Sequence, residues 1–343
     1  MENKKNVRDD KKRNASIEGM RVMLTVGVCL LHVISQGGYN IPWMANLVGW
    51  CVAGFVFISG WFGIKFSLHK MLQLYGIGIY CTVCFVLFDA VLCGKSYTFF
   101  DFCFKCIREI RHQWFLNAYI VLMCFVPFLN GTCCEITQKI KLKDFKFMVN
   151  TVAPLLVCVF GWSFATTLPL LKDVVPYAVG VSEASFLTLI GIYVIARLAN
   201  LNRDLLHKYL GWVENKIAFC GVFVTTILLA VIGLSNTNSL VAVALASITF
   251  YLFTHIKLPI VLCRLCNWLA PSMFSVYILH VHRDVWGYLQ NIESFFVSHW
   301  NIPIPLMFLL TASVIFMVCV ALDMPRRCFI LCYAKLLAIL KKE

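Results

Sequence analysis

Apolar residues in this chain occur in long segments that are separated by short polar loops. They do not alternate with polar residues, as they must in a water-soluble globule. A helix needs about 20 mainly apolar residues to cross the hydrocarbon core of a bilayer. The pattern predicts these spans: 20–36, 45–64, 72–93, 114–130, 148–167, 184–200, 217–233, 239–256, 271–290 and 304–322. The predicted fold class is all-α, a polytopic membrane bundle of about ten transmembrane helices.

Polar segments flank the spans and divide the chain into three parts. Residues 1–15 form a basic tail, and residues 16–325 form the ten-span membrane domain. Residues 326–343 alternate basic with apolar side chains, which is typical of an amphipathic helix in the membrane interface, here on the cytoplasmic side. Asp323, which precedes two arginines, is expected to form an ion pair on the surface.

Composition supports a membrane protein. Hydrophobic residues make up 60% of the 343 and charged residues only 14%, and the mean hydropathy is +0.80. Soluble domains carry about a quarter of charged residues. The net charge of +13 lies mostly in short loops, where it directs topology and contacts anionic lipid. It therefore gives no reason to expect a nucleic-acid partner.

Lysine and arginine indicate the direction of the spans, because cytoplasmic loops carry an excess of both. Bases are concentrated in the N-terminal tail, in alternate loops and after the last span. Both termini are therefore expected in the cytoplasm. Loop 94–113 breaks the rule, since it is predicted outside but contains Lys95, Lys105, Arg108 and Arg111. We interpret it as a re-entrant, functionally charged segment, although a misplacement of the neighbouring spans would also explain it.

Seventeen cysteines do not predict disulfides. Most lie inside apolar segments, where a free thiol behaves as a small hydrophobe. Two Cys-x-x-Cys pairs, which begin at Cys103 and Cys263, are candidate zinc ligands together with the adjacent Cys133 and Cys134. Structural zinc needs four ligands that converge, and the topology puts the first pair on the opposite side from the others. No metal site is expected.

Arg21 and His32 are the most informative candidates for chemistry. Eleven steps of about 100° leave them only about 20° apart around a helix, and the helical rise puts His32 about 16 Å further along the axis. One helix face then carries a cation at the membrane surface and a titratable ring near the midplane, where an ionisable group is costly and often functional. Taken alone, His32 is explained equally well as a neutral hydrogen-bonding residue between helices.

His280 changes that balance. It lies about halfway along the predicted ninth span, at a depth similar to that of His32, whereas His282 lies about 200° further round the helix. Two such histidines in separate spans indicate a shared polar cavity. A neutral imidazole in that cavity can take a proton from a hydroxyl group near neutral pH.

Several of these segments together resemble the integral-membrane acyltransferases called acyltransferase family 3. The similarity rests on ten residues between an arginine and a histidine and on the order of the motifs, which cover residues 16 to about 322. The matching segments are Ser16–Arg21 with Leu30–His32, Gly54–Phe62, Gln113–Leu116 with Pro127–Asn130, Ser185–Tyr193, and Ser275–His280. The similarity points to bacterial members that O-acetylate cell-surface polysaccharides.

The resemblance implies that His32 is the essential histidine, that Arg21 is its paired cation, and that His280 is a second catalytic candidate. Many family members also carry an Arg-x-x-Arg motif after the second span. This chain offers only lysines and a histidine there. Lys65 and Lys70, together with Arg21, are therefore the candidate contacts for the donor's phosphates, although lysine is a point charge where arginine gives a bidentate fork.

Ser59, Trp114 and Asn117 are the candidate substrate contacts. Ser59 and Trp114 match family positions in the second and fourth spans. Each also has a simpler explanation, because Ser59 with Gly60 fits a notch for helix packing and Trp114 fits the aromatic belt of a membrane protein. Asn117 has no such explanation.

The resemblance implies transfer of an acyl group from cytoplasmic acyl-CoA to a carbohydrate hydroxyl, at the inner (plasma) membrane. We expect no permanently bound cofactor, because acetyl-CoA or another acyl-CoA is the donor substrate and a carbohydrate or glycolipid is the acceptor. The alternative is a proton-coupled secondary transporter or flippase. That alternative predicts two related halves with Gly- or Pro-broken spans, which we do not find in the sequence.

Labelling of introduced cysteines in intact cells, with native thiols blocked, tests the topology. Positions in 139–146 and 203–208 should be protected from an impermeant reagent, because basic loops stay in the cytoplasm. Positions in 234–238 should be labelled. Labelling of 139–146 from outside would reverse the orientation.

Overall fold

The computed structural model describes residues 14–37, 39, 41–92, 94–141, 186–209, 216–234, 240–281 and 283–340. These residues form helices joined by short connections, with no strand among them. The α-helices are α1 (Ala15–Gln36), α2 (Pro42–Val48), α3 (Cys51–Phe62), α4 (Leu68–Leu92), α5 (Phe99–His112), α6 (Trp114–Lys141), α7 (Phe186–Leu201), α8 (Arg203–Tyr209), α9 (Lys216–Leu229), α10 (Leu240–His255), α11 (Ile260–Leu269), α12 (Met273–Leu279), α13 (Arg283–Trp300) and α14 (Ile304–Leu340). A π-helical turn, Ala230–Leu234, follows α9, and a 3-10 turn, Ala270–Ser272, joins α11 to α12.

The helices confirm the all-α membrane class. Within the described residues, six helical segments are long and apolar enough to cross a membrane, and three further apolar helices are shorter. The six are Ala15–Gln36, Pro42–Phe62, Leu68–Val91, Trp114–Lys141, Ile260–Leu279 and Ile304–Tyr333, and the three are Thr188–Leu201, Phe219–Ile232 and Val241–His255. The predicted fifth span, 148–167, lies outside the described residues, so a total of about ten spans stays a prediction.

The predicted ninth span, 271–290, is wrong. The apolar segment is Ile260–Leu279, made of α11, the 3-10 turn and α12, and α13 begins only at Arg283. The sequence pattern puts Arg264 in the loop between spans 239–256 and 271–290. Its side chain is exposed, and one base on an outer helix face does not prevent a helix from spanning a membrane. His280 consequently ends a helix instead of lying halfway along one.

The predicted C-terminal amphipathic helix is a direct continuation of the last span. α14 runs for 37 residues across the expected boundary. Asp323 is fully buried, not on the surface, and accepts a hydrogen bond from Arg326 Nε at 2.6 Å. Arg326 also donates to the Pro271 carbonyl, and Arg327 donates to the Ser272 hydroxyl. These bases therefore anchor α14 to the 3-10 turn.

α1 is a central helix of the bundle. It packs against α2, α3 and α10 to α14. Ile17, Met20 and Leu24 are at most 2% exposed, and buried residues occur on most sides of the helix. A helix that is surrounded by protein or lipid is expected to be apolar all round. Arg21 and His32 are therefore unusual residues for this position.

α1 and the segment Ile260–Leu279 run parallel. Near their first turns, a Cβ atom at Gly19 would lie 3.3 Å from Cys266 Sγ. At their far ends the imidazole rings of His32 and His280 are 5.0 Å apart. Small residues permit such a close approach of two helices in a membrane. The two histidines meet because both helices end at the same level of the bundle.

Gly60 permits a tight contact between α3 and α7. A Cβ atom at Gly60 would collide with the backbone carbonyl of Tyr193 and would lie 2.9 Å from Ala196 Cβ. Neither Tyr193 nor Ala196 is exposed. Because backbone atoms cannot rotate away as a side chain can, only glycine fits without a shift of the helices.

Substitution of Gly60 with alanine should therefore destabilise the folded protein by about 1–3 kcal/mol, the usual cost of an extra methyl group in a filled contact. Gly76→Ala in α4 is the matched control, because nothing lies within 4 Å of its Cβ position. Alanine in an exposed helix is neutral or slightly favourable. Thermal unfolding of the purified variants in detergent measures the stability of Gly60→Ala and of Gly76→Ala. Equal midpoints would contradict the close approach of α3 and α7.

Candidate active site

His32 and His280 lie against one another at one end of α1. Their ring centroids are 5.0 Å apart and the ring planes meet at 68°, in an edge-to-face arrangement. His32 belongs to the last turns of α1, and His280 is the residue that ends α12. The structure brings together the two histidines that stood out in the sequence, at the ends of their helices.

A backbone hydrogen bond defines the orientation of His280. Its Nδ1 lies 2.9 Å from the carbonyl oxygen of Val276. Because a carbonyl oxygen only accepts, Nδ1 carries the proton, and Nε2 holds the lone pair in the neutral ring. Tyr277 packs edge-to-face on the same ring, with centroids 5.8 Å apart. A buried imidazole held in one tautomer is suited to orienting a ligand or passing on a proton.

A cavity of about 1040 Å³ adjoins the histidine pair. His32, Tyr277 and Val281 line it on one side, and Gln113 and Trp114 line it where α6 begins. Pockets for small ligands commonly enclose about 300–1,000 Å³. The mixture of rings and polar groups suits a polar organic ligand with apolar faces.

Segment 94–113 forms the remaining wall of the cavity, and most of it is helical. Thr98 and Asp101 form a capping box at the start of α5, since the Thr98 hydroxyl accepts from the Asp101 N–H and the Asp101 carboxylate accepts from the Thr98 N–H. The Thr98 hydroxyl also donates to the Asp101 carboxylate at 2.6 Å, and this bond, followed by the one from the Thr98 N–H, lowers the pKa of Asp101. Phe104, Lys105 and Arg108 of α5 face the cavity.

Asp89 fixes this segment to the bundle. Its carboxylate is fully buried and accepts hydrogen bonds from the Tyr97 hydroxyl at 2.5 Å and from the Lys105 ammonium, and Lys95 Nζ lies 3.6 Å away. Burial alone would lower the pKa of Lys105, but the hydrogen bonds to Asp89 and Tyr97 outweigh burial and raise it. Lys105 is therefore charged at neutral pH. Two of the bases that break the loop-charge rule thus have a partner in the bundle.

A second polar cluster lies near the first turns of α1. Arg21 donates to Glu18 at 2.5 Å, and Glu18 is 4% exposed. The hydroxyl groups of Ser59 and Tyr119 are 3.2 Å apart, and Tyr119 is within electrostatic range of Arg21. The helical rise separates this cluster from His32 by about 16 Å along α1. The two predicted ends of the Arg21–His32 face therefore have different surroundings.

Lys65, Lys70 and Asn117 are not brought to the histidines. Both lysines are exposed, one between α3 and α4 and the other in the first turn of α4. The Asn117 amide donates to backbone carbonyls at the end of α5, at distances from 2.9 to 3.3 Å, and Asn117 does not line the cavity. Within the described part of the chain, no three His, Cys, Asp or Glu side chains could share a metal ion.

Comparison with protein families indicates which chemistry this arrangement serves. The family model for the acyltransferase 3 domain, described as an acyltransferase domain, matches residues 14–324. The chain belongs to acyltransferase family 3. No curated protein and no solved structure matches the chain.

The sequence of this membrane acyltransferase did not single out two residues that the structure places at these sites. Asp89 lies beside the cavity, and Tyr119 lies in the Arg21 cluster. Asp89 is a carboxylate in an otherwise apolar span, which is a signal for a paired or functional charge. Tyr119 lies near the start of the predicted fourth span, where an aromatic belt also explains a tyrosine, and its hydrogen bond to Ser59 joins residues 60 positions apart. Local sequence carries no signal for such a contact.

The Asp89–Lys105 pair gives a stability prediction for the acyltransferase. Lys105→Met should cost about 3–5 kcal/mol, because it leaves a buried carboxylate without its base. Lys105→Met combined with Asp89→Leu should recover most of that loss. Lys95→Met is the control, since Lys95 is half-exposed and more distant, and it should change stability by about 1 kcal/mol or less. Unfolding midpoints in detergent would refute the pairing if Lys105→Met and Lys95→Met behaved alike.

Proposed function

We propose that this acyltransferase moves an acetyl group from cytoplasmic acetyl-CoA to a hydroxyl of a cell-surface carbohydrate, with His32 as general base or acyl carrier. The observation that carries the proposal is the contact between His32 and His280 beside a cavity of about 1040 Å³. The distribution of lysine and arginine supports a location in the inner (plasma) membrane with both termini in the cytoplasm.

The donor binds at the Arg21 end of the bundle. Acyl-CoA is a polyanion whose phosphates cannot enter lipid, so they stay at the basic surface with Arg21, Lys65 and Lys70. The pantetheine arm extends past Ser59 and Tyr119 and carries the thioester along the about 16 Å of α1 that separate Arg21 from His32. CoA is a substrate in this scheme, and no cofactor is held permanently.

The acceptor occupies the cavity at the His32 end. Trp114, Tyr97 and Tyr277 supply ring faces for the apolar side of a sugar, and the polar side chains supply hydrogen bonds. Bases and acids are balanced in the lining, with Lys95, Lys105 and Arg108 against Asp89, Asp101 and Glu109. That balance favours an uncharged, polyhydroxylated acceptor, either a carbohydrate or the head of a glycolipid.

Two routes fit the geometry. In the first, His32 takes the proton of the acceptor hydroxyl while the hydroxyl oxygen attacks the thioester carbonyl. The proton then passes to the departing CoA thiolate. In the second, the neutral His32 imidazole attacks the thioester carbonyl and CoA leaves as a thiolate; the acceptor hydroxyl then attacks the acetyl carbonyl, the imidazole is released, and the hydroxyl proton passes to the CoA thiolate. His280, fixed by its bond to Val276, orients the acceptor or passes on the proton.

His32→Gln distinguishes catalysis from a structural role. Loss of a general base typically lowers the rate about 100- to 10,000-fold, whereas loss of an interhelical hydrogen bond costs on the order of 1 kcal/mol of stability. Glutamine keeps hydrogen-bonding groups but accepts no proton at neutral pH. We expect purified, monodisperse His32→Gln protein to lose transfer from labelled acetyl-CoA.

His299→Gln is the matched control, because His299 is exposed in the last turn of α13, and it should keep wild-type activity. Transfer by His32→Gln within a few-fold of wild type would end the catalytic role of His32. Proton-coupled solute flux by wild-type protein without any acyl transfer would instead favour the transporter alternative.

A further inference from the structure

Arg197 is a half-buried base with no counter-charge among the described residues. It lies near the end of α7, and its Nε is buried without a hydrogen-bond partner. No ion pair within the described ranges includes it, whereas Arg21 faces Glu18 and Lys105 faces Asp89. Arg197 therefore differs from Arg21 and Lys105, each of which faces a carboxylate.

Gly63 provides the space for the Arg197 guanidinium. It ends α3 in the left-handed conformation, with φ of 63°. A Cβ atom there would lie 2.6 Å from Arg197 Nη1 and 2.7 Å from Cζ. The guanidinium thus lies directly on the backbone where the chain leaves α3. The bases that follow are Lys65, before α4, and Lys70, in its first turn, and neither is an arginine.

Hydrogen bonds hold this corner of the bundle in place. The Tyr193 hydroxyl donates to the Asn130 side-chain oxygen at 3.0 Å, and the Asn130 amide donates to the Ile64 carbonyl at 3.2 Å. These two bonds tie α7 and α6 to the end of α3. The backbone beneath Arg197 is therefore fixed, while the guanidinium Nε has no hydrogen-bond partner within the described ranges.

The corner adjoins the donor end of the bundle. Tyr193 is within electrostatic range of both Arg197 and Tyr119, and Tyr119 is within range of Arg21. Ser59 contacts Tyr119 and the adjacent Gly60 packs on Tyr193, so Arg21 and Arg197 approach neighbouring tyrosines from two different helices. The guanidinium of Arg21 is partly engaged by Glu18, whereas Arg197 has no hydrogen bond or ion pair to any residue that the structure describes.

A half-buried guanidinium without an acid loses hydration and gains no partner, which is unfavourable unless a ligand supplies the missing charge. Its planar fork of donors matches the oxygens of a phosphate group better than any lysine does. We propose that Arg197 binds a phosphate of the acyl donor. This inference rests on the proposed function, in which acyl-CoA is the donor.

Kinetics with two donors test the assignment. Arg197→Gln should raise the KM for acetyl-CoA about 10- to 100-fold, the usual effect of losing charge-assisted hydrogen bonds, and should leave kcat within a few-fold. The KM of Arg197→Lys should lie between those of wild type and Arg197→Gln, because lysine keeps the charge and loses the planar fork of donors. With S-acetyl-pantetheine, which has no phosphate, wild type and Arg197→Gln should have the same KM. Arg203→Gln is the control, since Arg203 is largely exposed and pairs only with exposed Asp204.

Thermal unfolding with and without CoA separates this inference from the proposed function. CoA should raise the unfolding midpoint of wild type and of Arg203→Gln, and should raise that of Arg197→Gln much less. Without CoA, Arg197→Gln should be as stable as wild type. Three results would each overturn the role of Arg197. The first is that CoA fails to stabilise wild type, and the second is that it stabilises Arg197→Gln equally. The third is that Arg197→Gln is less stable than wild type without CoA and yet keeps the wild-type KM. CoA binding that depends on Arg197, in a protein that transfers no acetyl group, would leave the role standing and refute the proposed function.

Discussion

Burial of charge is the constraint on which the arrangement of this bundle depends. Glu18, Asp89 and Asp323 are almost or fully inaccessible, and each faces a base. A buried ion without its partner costs several kcal/mol, so each carboxylate requires its base nearby, either from the same helix or from a neighbouring one. The pair at Asp89 holds α5 over the cavity, and the arginine at Asp323 holds α14 against the turn that precedes α12. Buried charges therefore position both α5, which borders the cavity, and α12, which ends at His280.

The same constraint separates the two halves of the reaction that we propose. The Arg21–Glu18 pair lies near the first turns of α1, and the imidazole rings meet at the other end of the helix. A helix keeps a fixed rise per residue, so the distance between these ends does not depend on loops. A donor that is charged at one end and reactive at the other fits such a site, provided that its flexible arm is long enough to reach from Arg21 to His32.

Sequence reasoning succeeded where a pattern is local and failed where contacts are distant. Apolar segments of sufficient length identified most spans, and the 3.6-residue period put Arg21 and His32 on one face. The ninth span was displaced because Arg264, which is exposed, resembles a loop residue. Asp323 was assigned to the surface because its partner in sequence, Arg326, gives no sign that the turn at Pro271 covers both. No periodicity could show that α12 ends where α1 does.

The shared ending of α1 and α12 has an electrostatic consequence. Peptide dipoles aligned along a helix leave partial negative charge on the carbonyl groups of its last turn, which favours cations nearby. His32 lies near the last turn of α1, and His280 ends α12. Two helix ends thus direct their negative poles toward one pair of imidazoles. The field of these two helix ends repels anions, so the space beside the imidazole pair favours an uncharged group over an anionic one.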